Sequence, residues 1–323
     1  MPTASDRRPL VVAIDDGYAS YDQELSLLSA AGADFTLRPV RGDAQAAVQA
    51  VRDASIVLVR ESPLGRPALQ AMVHGRAVIR YGIGVDNIDL NAAREFGIQV
   101  ANVPDYGTEE VSSQAVALAL SLNRQLLLHD REVRQGRWST GVLRPMHRLR
   151  GQVLGLVGYG RIARMTQAKL AGFGFGRVLV HDPNAQQLPP DVTACDLETL
   201  CRQADLISLH APLTAQTRQM INAERLALMK PGALLVNTAR GGLIDHQALY
   251  EALSAQRLAG AGLDVFEPEP PDTRHPLLML DNVIVTNHIG WYSEESLRDL
   301  QRMAALEAVR VLRGEPLLNW LNP

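Results

Sequence analysis

Arg240, Glu269 and His288 are the residues of this chain whose types and settings best fit one defined chemistry. Arg240 closes the run GALLVNTARGG, Asp264 and Glu269 follow each other in LAGAGLDVFEPEP, and His288 stands in NVIVTNHIGW. Each run is apolar enough to be a buried strand. In an open parallel sheet ligands gather beyond the carboxyl ends of the strands, so topology would bring these residues together despite their separation in sequence. Reducing a 2-keto acid needs a hydride, a proton for the carbonyl oxygen and a cation for the carboxylate. Arg240 offers a planar, permanently charged fork of donors. His288 suits the general acid, a role worth about 10²–10⁴ in rate. Glu269 beside it would favour the imidazolium and fix its tautomer.

A hydride donor has its own signature. In QVLGLVGYGRIA an apolar strand runs into Gly158-Tyr159-Gly160, and helical sequence follows from Arg161. Gly158 permits the tight turn, Gly160 lets backbone approach a pyrophosphate, and Ala163 keeps the helix close to the strand. The first helical N–H groups would face the phosphates. A second strand, RVLVHD, ends in Asp182, nineteen residues beyond Ala163, where a carboxylate can accept from ribose hydroxyls. Pro183 and Asn184 follow it, with no adjacent Lys or Arg to neutralise a 2′-phosphate, so NAD is expected over NADP. His210, before Ala211-Pro212, is expected to line the cofactor site rather than perform chemistry.

The elements that must position these residues are legible as alternation. Strand-like runs include LVVAID, SIVLVR, RAVIRY and IQVANV, then QVLGLVG, RVLVHD, DLISLHAP, GALLVNTA, LAGAGLDV and NVIVTNH. Several are apolar on both faces, as parallel strands covered by helices are. The rhythm predicts a doubly wound α/β architecture. One long helix is expected between Thr108 and Arg134, buried on more than one side, followed by an arm or linker at 136–151. A last helix, about Ser293 to Arg313, would return the chain to its first domain. The expected division is a discontinuous domain, 1–104 plus 291–323, around an inserted one, 105–290.

Bulk properties exclude other classes. A chain of 323 residues with 46% hydrophobic content can build two cores. Its formal net charge of −3, with both signs interspersed, gives no basic stripe for nucleic acid. Two cysteines, Cys195 and Cys201, are too few for a zinc site or a disulfide framework, and no metal is expected. No apolar stretch approaches the roughly 20 residues of a membrane helix, so no membrane partner and a cytoplasmic location are expected.

With YGIGVDNID, NVP, LVGYGRIA, HAPLTAQT, LVNTARGGLID, AGLDVFEPEP and TNHIGW in this order, the sequence resembles the D-isomer-specific 2-hydroxyacid dehydrogenases over nearly its whole length. The resemblance implies two doubly wound parallel-sheet domains, a Rossmann NAD-binding domain inserted in a flavodoxin-like substrate domain, hinged to close over a cleft. It implies Arg240, Glu269 and His288 as the catalytic set, and backbone amides of Ile83 and Gly84 holding the substrate carboxylate. Cofactor contacts are implied for Thr108, Gly158, Gly160, Arg161, Ile162, Asp182, His210, Ala211, Pro212, Thr217, Thr238, Ala239, Arg240, Asp264, His288 and Gly290. A homodimer built through about 108–150 is also implied.

Within the family, EEVSSQAVALALSLNR and HIGWYSEES are most similar to the C-terminal-binding-protein branch, which would set Trp291 beside the active-site histidine, within reach of a substrate side chain. That branch includes corepressors, so an NADH-sensing interaction protein is a competing expectation. A formate-type oxidoreductase is a second, although those relatives pair the histidine with glutamine rather than a residue like Glu269. Asn287 and Ser113 depart from the usual proline and acidic residue. Glu61, near the expected substrate mouth, would repel a second carboxylate or attract a cationic substrate if it pointed inward, and is otherwise a solvated loop charge.

Overall fold

The computed structural model describes residues 8–138, 144–185 and 187–323. In chain order the first elements are β1 (Leu10–Ala13), α1 (Asp22–Ala30), β2 (Asp34–Leu37), α2 (Ala44–Ala50), β3 (Ile56–Val59), α3 (Arg66–Ala71), β4 (Ala77–Arg80), α4 (Leu90–Glu95) and β5 (Gln99–Ala101). All five strands are parallel, in the order β2-β1-β3-β4-β5. Their central members are buried on both faces, which is why the sequence shows continuous apolar runs there.

There follow α5 (Thr108–Asn123), α6 (Leu126–Arg134), β6 (Val153–Val157), α7 (Arg161–Leu170), β7 (Arg177–His181), β8 (Val192–Ala194), α8 (Leu197–Gln203), β9 (Leu206–Leu209), α9 (Ala223–Leu228), β10 (Leu234–Asn237), α10 (His246–Ser254), β11 (Gly260–Leu263) and β12 (Val283–Val285). These strands form a parallel seven-stranded sheet, β12-β11-β10-β9-β6-β7-β8. Separate apolar clusters form its core, one including Leu200, Ile207, Leu235 and Leu249, the other Leu118, Leu156, Ala163 and Val236.

The last helix is α11 (Glu294–Arg313), capped by a reciprocal Ser293–Ser296 box and ended by Gly314 at φ 69°. The chain divides into two compact units, the described residues up to Gly107 with Ser293–Pro323, and Thr108–Tyr292. In the first unit, α11 packs on α1. Beyond it Asn322 accepts from Val100 N–H and donates to Ile98 O, both at 2.8 Å, tying the tail to β5.

Two expectations change. The single helix foreseen from Thr108 to Arg134 is two helices, because Gln125 takes a left-handed backbone at φ 52°. Its side chain donates to Arg144 O and Pro145 O, and Asn123 donates to His147 O, so the returning chain occupies the break. Only α5 is buried; α6 has no buried residue. Part of the expected arm, 139–143, lies outside the described residues. The other change is two additional edge strands, β2 and β8. No helix among the described residues is long and apolar enough to cross a membrane.

Candidate active site

The carboxyl ends of β6, β7, β9, β10, β11 and β12 lie along one edge of the parallel sheet in the second unit, and most of the candidate residues sit there. After β10, the buried Asn237 side chain accepts from Ala239 N–H at 3.0 Å and donates to Arg240 O at 2.8 Å. This pins the backbone on both sides of the Arg240 side chain, whose Nη1 donates to Ala239 O at 2.7 Å. Gly241 then passes so close to the next loop that a Cβ would collide with the Phe266 carbonyl. Only glycine allows that approach, which brings the segment 266–269 alongside Arg240.

On that segment Glu269 divides its oxygens. Oε1 accepts from Phe266 N–H at 2.9 Å, and Oε2 lies 2.7 Å from His288 Nδ1. Burial works to raise the Glu269 pKa, but the hydrogen bonds from His288 and Phe266 and the charges of His288 and Arg240 together outweigh it and hold the carboxyl below its usual range. His288 has a left-handed backbone at φ 55°. Asp264, 2% exposed, holds the turn that imposes it. Its Oδ1 accepts from Thr286 Oγ1 at 2.5 Å and Ile289 N–H at 3.1 Å, and its Oδ2 from Gly290 N–H at 2.9 Å. Its carbonyl takes His288 N–H at 2.8 Å. Gln114 on α5 donates to Thr286 Oγ1 at 2.9 Å, securing the same turn from behind.

The remaining strand ends fit a dinucleotide. Gly158 sits at φ 83°, and a Cβ there would meet Ala211 N at 2.7 Å, so the turns after β6 and β9 touch. Nothing stands within 4 Å of a Cβ on Gly160, leaving open space before the N-terminus of the ten-residue α7, where Ile162 and buried Ala163 follow exposed Arg161. Asp182 accepts from Tyr159 N–H and Asn184 N–H, both at 2.8 Å, which holds its carboxylate beside the glycine turn. His210 shares a proton between Nε2 and Ser208 Oγ at 2.9 Å. Burial pushes its pKa down to about 4, so the ring is neutral at pH 7. Thr217 Oγ1 folds the following loop by donating to Pro212 O at 2.6 Å. Thr238 Oγ1 is buried at the end of β10 with no hydrogen-bond partner among the described residues. An orphaned hydroxyl there, with the open glycine turn, is what a polar ligand along this edge would satisfy.

Other candidates lie elsewhere. Thr108 opens α5, Gly290 is buried against Asp264, and Trp291 stacks edge-on with Tyr292 at 5.6 Å. Ile83 and Gly84 belong to the first unit, in the turn after β4, where Ile83 O accepts from Asn102 Nδ2 at 2.6 Å. Glu61 is 70% exposed and pairs with Arg60 at 2.8 Å, so it is a solvated loop charge. Ser113 takes a hydrogen bond from Lys169, which also pairs with Glu109. Asn237 was not singled out from the sequence. Its signal was its position, an amide at a strand end three residues before Arg240.

A family model described as D-isomer specific 2-hydroxyacid dehydrogenase, NAD binding domain, matches residues 116–290. The chain is 38% identical over 283 residues to a D-3-phosphoglycerate dehydrogenase of Methanocaldococcus jannaschii, covering 85% of this chain and 53% of that protein. It thus spans about half the length of that relative. It is 37% identical over 268 residues to a hydroxypyruvate reductase of Thermotoga maritima, covering 82% of this chain and 86% of that protein. A solved D-lactate dehydrogenase of Aquifex aeolicus, complexed with NAD and lactic acid, superposes with a TM-score of 0.86 at 27% identity, covering 97% and 99% of the two chains. These similarities act at the level of the family and do not single out its C-terminal-binding-protein branch.

Proposed function

Since the chain belongs to the D-isomer specific 2-hydroxyacid dehydrogenase family and carries its NAD-binding domain, we propose that it interconverts a small 2-keto acid and the corresponding D-2-hydroxy acid. The observation that carries this reading is the His288–Glu269 pair, placed at the same sheet edge as Arg240.

NADH, when bound, supplies the hydride that C2 accepts. With Nδ1 directed at Glu269, His288 keeps Nε2 for the proton that goes to the carbonyl oxygen. The keto acid, NADH and one proton become the hydroxy acid and NAD⁺; in the reverse direction His288 takes the hydroxyl proton. Glu269 stays ionised and holds Nδ1, which fixes the ring with Nε2 towards the substrate. Arg240 binds the carboxylate and polarises the carbonyl, a role its permanently charged planar fork suits. The amides of Ile83 and Gly84 complete the carboxylate's binding, and Trp291 contacts the substrate side chain. Gly158, Gly160, Arg161 and Ile162 take the pyrophosphate and Asp182 the adenine ribose. Thr108, His210, Ala211, Pro212, Thr217, Thr238, Ala239, Asp264 and Gly290 contact or frame the rest. Exposed Leu126, Leu127 and Val133 on α6, with Trp138 at 84% exposure just beyond it, support assembly as a homodimer through this region.

NADH oxidation with a panel of 2-keto acids tests the reading. His288→Ala should lower kcat by about 10²–10⁴ while NADH still binds, as read by its fluorescence. Near-normal turnover in that variant would remove the histidine from the mechanism.

A further inference from the structure

Tyr18 lies in the loop after β1, within a cluster of aromatic rings in the first unit. Its ring centroid is 5.2 Å from that of Tyr81 and 5.5 Å from that of Tyr21. The two neighbours have partners for their hydroxyls, since Tyr81 donates to Glu24 Oε1 at 2.8 Å and Tyr21 to Asp15 O. The Tyr18 hydroxyl is shut off from solvent and has no hydrogen-bond partner among the described residues. Native proteins leave few such groups, and those that persist often await a ligand or water.

The surroundings indicate which ligand. Tyr106 and Arg80 stand close enough to act electrostatically on Tyr18. Both also crowd Gly82, where a Cβ would meet Tyr106 Oη at 3.3 Å and would collide with the Arg80 guanidinium. Gly82 directly precedes Ile83 and Gly84, the amides assigned above to the substrate carboxylate. The orphaned hydroxyl therefore shares a corner of this unit with the carboxylate cradle. We propose that Tyr18 is a specificity-determining residue whose hydroxyl reads an uncharged hydroxyl on C3 of the 2-keto acid, an inference that rests on the reaction proposed above.

Charge and protonation agree with that choice. The Arg60 guanidinium, 5.6 Å from the Tyr18 ring centroid, is already paired with Glu61 at 2.8 Å, so its charge is offset before a second substrate carboxylate arrives. Burial raises the Tyr18 phenol well above its usual range, so it stays protonated with one donor and two acceptor sites. A C3 hydroxyl can both accept from and donate to such a group, whereas a methyl leaves it unsatisfied. Sites built to hydrogen-bond a substrate hydroxyl reject the analogue that lacks it for this reason.

The test compares kcat/KM for hydroxypyruvate and pyruvate in the full-length protein and in Tyr18→Phe, which keeps the ring. The ratio should fall about tenfold in the variant, the discrimination one hydrogen bond provides. An unchanged ratio would overturn the assignment. Turnover of other 2-keto acids of the panel but of neither of these two would overturn this inference alone, and turnover of no acid would overturn the proposed reaction with it. Thermal melting without substrate is a second readout. Loss of an unpaired hydroxyl should leave Tm unchanged or raise it, and a fall of several degrees would mean that the protein itself satisfies Tyr18.

Discussion

Glu269 meets His288 through Oε2, 2.7 Å from Nδ1, while its other oxygen is held by the Phe266 N–H of its own loop. The carboxylate is thus aimed before any substrate arrives, and the same contacts leave a thermodynamic trace. Burial favours the neutral acid, but the bonds from His288 and Phe266 with the charges of His288 and Arg240 prevail and lower the Glu269 pKa in the folded protein. A lowered folded pKa contributes stability that is present above the unfolded value, about 4.3 for Glu, and is lost as pH falls through the folded one. Glu269→Gln should therefore melt below the unmodified protein at pH 7, with the gap closing as pH falls below about 4. Melting curves between pH 3 and 8 measure it; a gap constant across that range would assign the effect to packing rather than charge.

How much of this was legible beforehand depended on burial. The inner strands read directly, because residues such as Val57, Leu156 and Val236 are enclosed on both faces and leave unbroken apolar runs. β2 and β8 did not, since each lies at a sheet edge, spans four residues or fewer and leaves most of them partly exposed. The break at Gln125 had no local signal either. It depends on bonds to Arg144 O and Pro145 O, from a segment nearly twenty residues later. In the site, Arg240, Glu269 and His288 were visible because each follows a strand in a sheet whose direction the alternation implied. Asn237 pinning Arg240 and Asp264 holding the histidine turn were not, because hydrogen bonds between loops have no periodicity. Tyr18 was silent for the same reason.

Asp264 tests that hidden layer. Its buried carboxylate takes the Thr286 hydroxyl and the N–H groups of Ile289 and Gly290, and so keeps His288 in its left-handed conformation. In Asp264→Asn one oxygen becomes an NH₂ that cannot accept, and the charge that strengthens the other bonds is gone. A loss of about 2–3 kcal/mol in stability is expected, with kcat falling more than the KM for NADH rises. Denaturant titration and steady-state kinetics measure both. A rise in the KM for NADH with kcat unchanged would make Asp264 a cofactor contact rather than the support of the turn.

Asp182 tests the choice of cofactor. Two backbone N–H groups, of Tyr159 and Asn184, hold its carboxylate beside the glycine turn, and each oxygen retains a lone pair for a ribose hydroxyl. A 2′-phosphate would instead meet negative charge with no basic residue immediately after it. Replacing the carboxylate and adding a cation, as Asp182→Ser with Asn184→Arg, should move the ratio of kcat/KM for NADPH over NADH upward by about 100-fold, or nearly 3 kcal/mol. Serine cannot accept both backbone bonds as the carboxylate does, so the variant should also melt lower. That loss affects both cofactors alike, which makes the ratio the quantity that decides. A ratio that stayed put in a folded variant would mean that the ribose is recognised by residues other than Asp182.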